Sequence, residues 1–342
     1  MPAQSKYFVA ALASLGVMAG ATVLVLADGQ EAGWRITPNL STTSVHFTIR
    51  RAGIFGNSIH SSNVPLEKFR GFSLSMLASP GPAKFEYVGD AGRLLCEGRF
   101  SMGSGSGAYT FAPDRAFAAE LQQMGFGTPD DDQLFSMLAM NIGRDFARDI
   151  HDAGVPASAR DLIRLRTHGV DLRYVHEALQ AGYRNFSAED YVQLRIHGAE
   201  TDLLRELKTA GYDLRAAEIV DLTVHGVDSR FLRDLRSYGL QPAAADLTQL
   251  QTHGVTPEYL NGLKEAGYGH LSVDEIEQLQ AHGVEPEFPR EARRLGYDFT
   301  PDELAQLRAH GVDSGYLRHL QEAGMRNLSA EQISQLRSHG VD

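Results

Sequence analysis

The sequence predicts an α+β multidomain protein: a small antiparallel β-domain over residues 31–112, connecting helices over 113–155, and an all-α solenoid of short helix pairs over 156–342. Three observations carry this. Apolar and polar residues alternate with period two from Trp34 to Phe111, a His-Gly pair returns every 28 or 29 residues from His168 onward, and a second glycine series interleaves it.

Residues 1–27 precede these elements. Met1 to Lys6 is short and weakly positive, and Tyr7 to Ala27 is apolar and uncharged, with small-residue exits at Ala19-Gly20-Ala21 and Val25-Leu26-Ala27. That layout matches a secretory signal peptide. Its 21 apolar residues also suffice for an uncleaved membrane anchor through residues 7–27. Either reading predicts an exported chain, periplasmic or extracellular, with inner-membrane anchoring as the second alternative.

In the β region, Val45, Phe47 and Ile49 alternate with His46, Thr48 and Arg50, and Leu94, Cys96 and Phe100 share a face opposite Glu97 and Arg99. Such runs read as half-buried antiparallel strands. Turns are predicted at Gly89–Gly92 and across the glycine run Gly103–Gly107, giving a meander or sandwich of roughly five to seven strands. Pro113 to Met124 then reads as one helix. Asp130 to Ala153 reads as a second, longer one, opened by Asp130, Asp131 and Asp132, whose charge suits a helix N-terminus.

The repeats begin next. His168, His197, His225, His253, His282, His310 and His339 each precede a glycine, at spacings of 29, 28, 28, 29, 28 and 29 residues. Between them fall Gly154, Gly182, Gly211, Gly239, Gly267, Gly296 and Gly324. A helix commonly ends on a left-handed residue, which glycine adopts without penalty, and an apolar residue after it packs back on the last turn. Val170, Val227 and Val255 follow in one series, Tyr183, Tyr212 and Tyr268 in the other. Starts are marked by capping boxes at Ser272/Glu275, Thr300/Glu303 and Ser329/Gln332, and apolar stripes such as Leu304/Leu307 and Leu317/Leu320 lie between start and stop. Helices of about ten residues are marginal alone in water, so each must bury its stripe on its neighbours.

The units Leu304–Asp313 and Tyr316–Gly324 resemble the extracytoplasmic repeat tails attached to membrane metallopeptidases of the BlaR/MecR antibiotic-sensor type and related stand-alone exported proteins. The resemblance covers roughly residues 150–342, with a weaker one at Ala91–Gly98. It implies an extracytoplasmic location and, more distantly, an accessory or sensor role in such signalling. The peptidase part of that family needs a His-Glu-x-x-His helix. His176-Glu177 begins like one but lacks the second histidine, so proteolysis is not implied.

A net charge of −11 disfavours nucleic acid, and the single Cys96 excludes an internal disulfide. Five histidines have glutamine four residues earlier, which puts each pair on one helix face: Gln193/His197, Gln249/His253, Gln278/His282, Gln306/His310 and Gln335/His339. This polar ladder has two readings. It grips an extended partner, or titrates near pH ~6.5 as a sensor; or the histidines simply bond the last carbonyls of their helices. Metal is disfavoured, because packed helices stand ~8–10 Å apart while zinc ligands reach ~2 Å. Gly103, Gly105 and Gly107 lie between strand-like segments, unlike a phosphate loop, and Ser104 and Ser106 lack the strand-to-helix turn of a nucleophile elbow. Asp130–Asp132 lack the ligand spacing of a calcium loop. No catalytic, cofactor or metal residue is therefore predicted. Tyr174, Tyr259 and Tyr316, early in their helices, are expected to be partly exposed. The function implied is a non-catalytic cell-envelope scaffold for a protein or peptide. The alternative is a self-assembling module pairing copies through an open C-terminal repeat face.

Overall fold

In a computed structural model, residues 32–53 and 56–341 are described; the signal-peptide or anchor expectation over 1–27 lies outside them. Among the described residues no helix is long and apolar enough to cross a membrane. The chain divides into two units, one reaching Asp149 and adding Ala157–Ile163, the other comprising Ile150–Pro156 and Arg164 onward.

The first unit contains one antiparallel sheet of β1 (Gly33–Pro38), β2 (Ser44–Gly53), β3 (Gly56–Pro65), β4 (Phe69–Arg70), β5 (Gly81–Gly89), β6 (Gly92–Ser101) and β7 (Ser104–Pro113). The strand order is β3-β2-β1-β7-β6-β5-β4. Consecutive strands pair throughout except β3 and β4, and β1 also pairs with β7, where Trp34 faces Gly107, so of the two expected arrangements the meander forms, as a single sheet, and the two-sheet sandwich does not. Period-two patterning reports which face is buried and leaves the partner open. The buried face carries Trp34, Ile36, Val45, Phe47, Phe85, Tyr87, Leu94, Cys96 and Phe100. Phe47 of β2 meets Phe69 of β4 edge-on at 5.2 Å between centroids, although five strand positions separate β2 from β4. Only a curled sheet brings them together.

The glycine run is a correction. β7 starts at Ser104, so the turn is just Met102-Gly103, with φ of 49° and 77°, and Gly105 and Gly107 belong to the strand. Their role is close approach. A Cβ at Gly105 would sit 2.6 Å from Phe100 and 3.0 Å from Trp34, and one at Gly107 would strike the backbone of β6. The space admits the Trp34 indole, which donates to the carbonyls of Ala108 (2.9 Å) and Glu97 (3.2 Å).

Helices α1 (Arg115–Gln123), α2 (Asp131–Ala139) and α3 (Arg144–Asp152) follow. The single helix expected from Asp130 to Ala153 is two. Asn141 stands at φ 53°, and Ile142 N–H bonds Met137 O at 2.8 Å, so α2 ends in the left-handed stop expected only at glycine. Asparagine tolerates that conformation, which is why no glycine marked the break. Arg144 then donates to Glu120 (2.7 Å) and Asp90 (2.8 Å), fastening α1 and the β5–β6 turn to the start of α3.

The repeat helices alternate in two series. The first, ending in histidine-glycine, contains α4 (Ala159–Thr167), α6 (Ala188–Ile196), α8 (Ala216–Val224), α10 (Ala244–Thr252), α12 (Val273–Ala281), α14 (Pro301–Ala309) and α16 (Ala330–Ser338). The second contains α5 (Leu172–Ala181), α7 (Thr201–Thr209), α9 (Ser229–Tyr238), α11 (Pro257–Glu265), α13 (Glu287–Arg294) and α15 (Ser314–Glu322). Within the second unit even-numbered helices pack on even (α6 on α8, α12 on α14, α14 on α16) and odd on odd (α5 on α7, α7 on α9, α13 on α15). That is a two-layer solenoid. At all fourteen repeat glycines φ lies between 65° and 106°. Both hydrogen bonds of a Schellman stop form, as where Gly283 N–H meets Gln280 O at 3.0 Å and Val284 N–H meets Leu279 O at 2.9 Å.

Candidate binding face of the helical repeats

The even layer presents one edge in strict repetition. In each nine-residue helix the fourth and seventh residues point inward, as Tyr191 and Leu194 do in α6 and Ile219 and Leu222 in α8, all at most 2% exposed. The ninth residue then faces solvent. It is Thr167, Ile196, Val224, Thr252, Ala281, Ala309 or Ser338, exposed every time and charged never. Ile196 and Val224 are 49% and 60% exposed, among the few large apolar side chains left in water. Adjacent helices put equivalent positions about 8–10 Å apart.

The histidines come directly after this row, and all seven are exposed at the C-terminal end of their helices. Of the predicted ladder, Gln249, Gln306 and Gln335 are exposed and Gln193 and Gln278 half-buried. Among the described residues no glutamine side chain bonds its histidine partner's ring. The bond joins the backbones instead: His197, His253, His282, His310 and His339 each donate N–H to the carbonyl of Gln193, Gln249, Gln278, Gln306 and Gln335, at 2.8–3.1 Å. The glutamine side chains turn elsewhere, Gln193 to Glu189 at 2.8 Å and Gln335 to Glu331 at 3.4 Å. Two imidazoles do cap their helices, His225 Nδ1 on Asp221 O (2.8 Å) and His310 Nδ1 on Gln306 O (2.9 Å). In both, Nδ1 must carry the proton.

Carboxylates flank the row. Asp221 lies 3.5 Å from His225. Hydrogen bonds from Arg164 and Gln193 hold Glu189 below the usual carboxylate range, with His168 nearby adding to the effect. Burial raises Glu277, which His253 opposes. Among the described residues no three His, Cys, Asp or Glu side chains gather as metal ligands would. Glu177, from the incomplete peptidase-like pair, accepts a hydrogen bond from Thr201 at the start of α7. Cys96 is 1% exposed, and burial pushes its thiol pKa up, away from the reactive thiolate.

The tyrosines overturn an expectation. Tyr174, Tyr259 and Tyr316 are only 5%, 6% and 4% exposed. Tyr174 Oη donates to Ala199 O at 2.6 Å and Tyr259 Oη to Val284 O at 3.0 Å, each reaching the stop of the following even helix. Tyr212 and Tyr268 donate to Pro242 O and Phe299 O, just ahead of α10 and α14, both at 2.6 Å. Cations cover several rings: Arg195 over Tyr174 (4.9 Å), Lys208 over Tyr183 (4.5 Å) and Arg293 over Tyr268 (4.4 Å). These staples tie the odd helices to the ends and entries of the even series. Sequence reading missed both the staples and the Ile196/Val224 row. The recurring uncharged residue immediately before each histidine was the available signal. No protein-family model and no curated protein matches this chain at a significant level.

Proposed function

We propose that the chain is a non-catalytic binding scaffold of the cell envelope, whose even-layer edge receives an extended segment of a protein or peptide. The observation carrying this is the uncharged exposed row from Thr167 to Ser338, with Ile196 and Val224 as its large apolar members, bordered by imidazoles. Scattered exposed apolar side chains need no explanation, but aligned ones on a repeat surface form the kind of track solenoids use for binding. The resemblance of residues 150–342 to extracytoplasmic repeat tails supports an envelope location. A photo-crosslinking residue placed at Ile196 or Val224 in whole cells is expected to capture one discrete partner, with capture lost in the His197→Ala/His225→Ala variant. The same residue at Glu265, on the odd layer, serves as control. Equal capture from all three positions would overturn the reading. A product of twice the chain mass would transfer it to self-assembly.

A further inference from the structure

The two edges of the β-sheet are unlike. β4, at one edge, is two residues long and ends in Arg70. β3, at the other, runs for ten residues, and its stretch Ser58–Val64 contains no Asp, Glu, Lys, Arg or Pro. Sheet edges are commonly blunted by brevity, charge or proline, because a bare edge recruits another strand. Over this stretch β3 has none of the three. Among the described residues no strand pairs with its outer side. The register shows which backbone groups are open. Leu66 N–H bonds Thr43 O at 2.9 Å, one step beyond the Ser44–Pro65 pair. Rungs alternate in an antiparallel ladder, so Val64, Ser62 and His60 bond β2, while the N–H and C=O groups of Ile59, Ser61 and Asn63 point away from it. The side chains agree. Ser61 meets Thr48 and His46, both at 2.8 Å, and Asn63 meets His46 at 3.3 Å, the close approach of pairs without backbone bonds. These contacts hold the Ser61 and Asn63 side chains over β2 and leave the edge clear, with Ile59 63% exposed.

We propose that β3 pairs antiparallel with β3 of a second copy about a two-fold axis at Ser61, joining two seven-stranded sheets into one. In that register Ser61 faces its own mate, Ile59 faces Asn63 of the second copy, and His60 faces Ser62 of the second copy. The open N–H and C=O groups of all three outward residues then bond, and the stretch brings no like charges opposite each other. A second copy is the occupant because an isologous pair supplies the same three rungs, at the same spacing, from both sides. The β4 edge of another copy offers two residues and Arg70, so head-to-tail growth of sheets is disfavoured and the pair closes. The contact lies in the first unit, apart from the crosslinking positions Ile196 and Val224, so either reading can fail without the other.

The test is disulfide trapping in the full chain under mild oxidation, read on a non-reducing gel. The native Cys96 is 1% exposed and takes no part. Ser61→Cys puts two cysteines across the axis with Cα atoms about 5.5 Å apart, within disulfide reach. Asn63→Cys leaves its two copies about 14 Å apart along the strands, too far to bridge. Ser61→Cys is therefore expected to give a product of twice the chain mass, in about tenfold or greater excess over Asn63→Cys. Adding Ile59→Pro to Ser61→Cys removes an open N–H but no bond to β2, so the product should vanish with the melting point kept. Equal trapping at the two positions, trapping at neither, or a product of another mass overturns the proposal. So does persistence of the product in the folded proline variant. The comparison of Ser61→Cys with Asn63→Cys decides by itself where the proline variant does not fold.

Discussion

Tyr259 shows how much one hydroxyl carries. It is 6% exposed, and its hydroxyl donates to Val284 O across a repeat boundary. Tyr259→Phe removes that donor and strands a carbonyl, so a loss of about 1–2 kcal/mol is expected in urea unfolding. Tyr297 supplies the contrast. Its hydroxyl is buried with no hydrogen-bond partner among the described residues, so Tyr297→Phe sheds a desolvation cost and should leave the unfolding midpoint unchanged or raised. Equal losses in the two variants would mean that the tyrosines act through ring packing alone. That difference was invisible in the sequence, where both are simply tyrosines beside a helix end. Hydroxyl partners are carbonyls 25 to 31 residues away, and no local pattern records them.

At the scale of the element, the stops govern. Gly283 has φ 65° and nothing within 4 Å of the place a Cβ would take, so Gly283→Ala pays only the left-handed backbone penalty, about 1–2 kcal/mol. Gly267→Ala should cost more. There the Cβ falls on the Arg293 guanidinium, which must leave the ring of Tyr268. Thermal melts of the two variants check the order, and a smaller loss for Gly267→Ala would refute it. Helix ends were legible wherever glycine marked them, because a left-handed φ excludes most other residues locally. The end of α2 was not, because Asn141 does the same work without the same signature. The Gly105–Gly107 stretch misled in the opposite direction: its glycines answer the bulk of Trp34, a residue some 70 positions away.

Over the whole molecule, near-neighbour packing makes the repeats separable in thermodynamic terms. Deleting residues 255–283 joins Gly254 to Val284, which preserves the glycine–valine stop and removes one full unit. The shortened chain is expected to fold with the same helical spectrum per residue and a smaller urea dependence, since less surface is exposed on unfolding. Collapse to an unfolded chain would contradict the two-layer account. Alkaline pH tests both units together. Burial raises the hydroxyls of Tyr87, Tyr191 and Tyr238 from 10 to about 12. The unfolded chain gives up these protons first, so the stability they contribute is intact below pH 10 and is withdrawn between 10 and about 12, on the order of 2 kcal/mol per ring. Helicity followed by circular dichroism should therefore fall in that window together with rising tyrosinate absorbance. Full titration near pH 10 with helicity retained would show the rings to be solvated.

What the sequence by itself determined is the rhythm: where the repeat helices stop, which stripe they bury, and which residues of the β region face inward. Those are local or short-period properties, written in capping residues, glycines and alternation within a few positions. The tertiary structure alone decided the pairing of β1 with β7, the curl that joins Phe47 to Phe69, and the tyrosine staples. Each of these depends on groups distant in the chain meeting in space, and their partners are selected by packing and charge after the local elements exist.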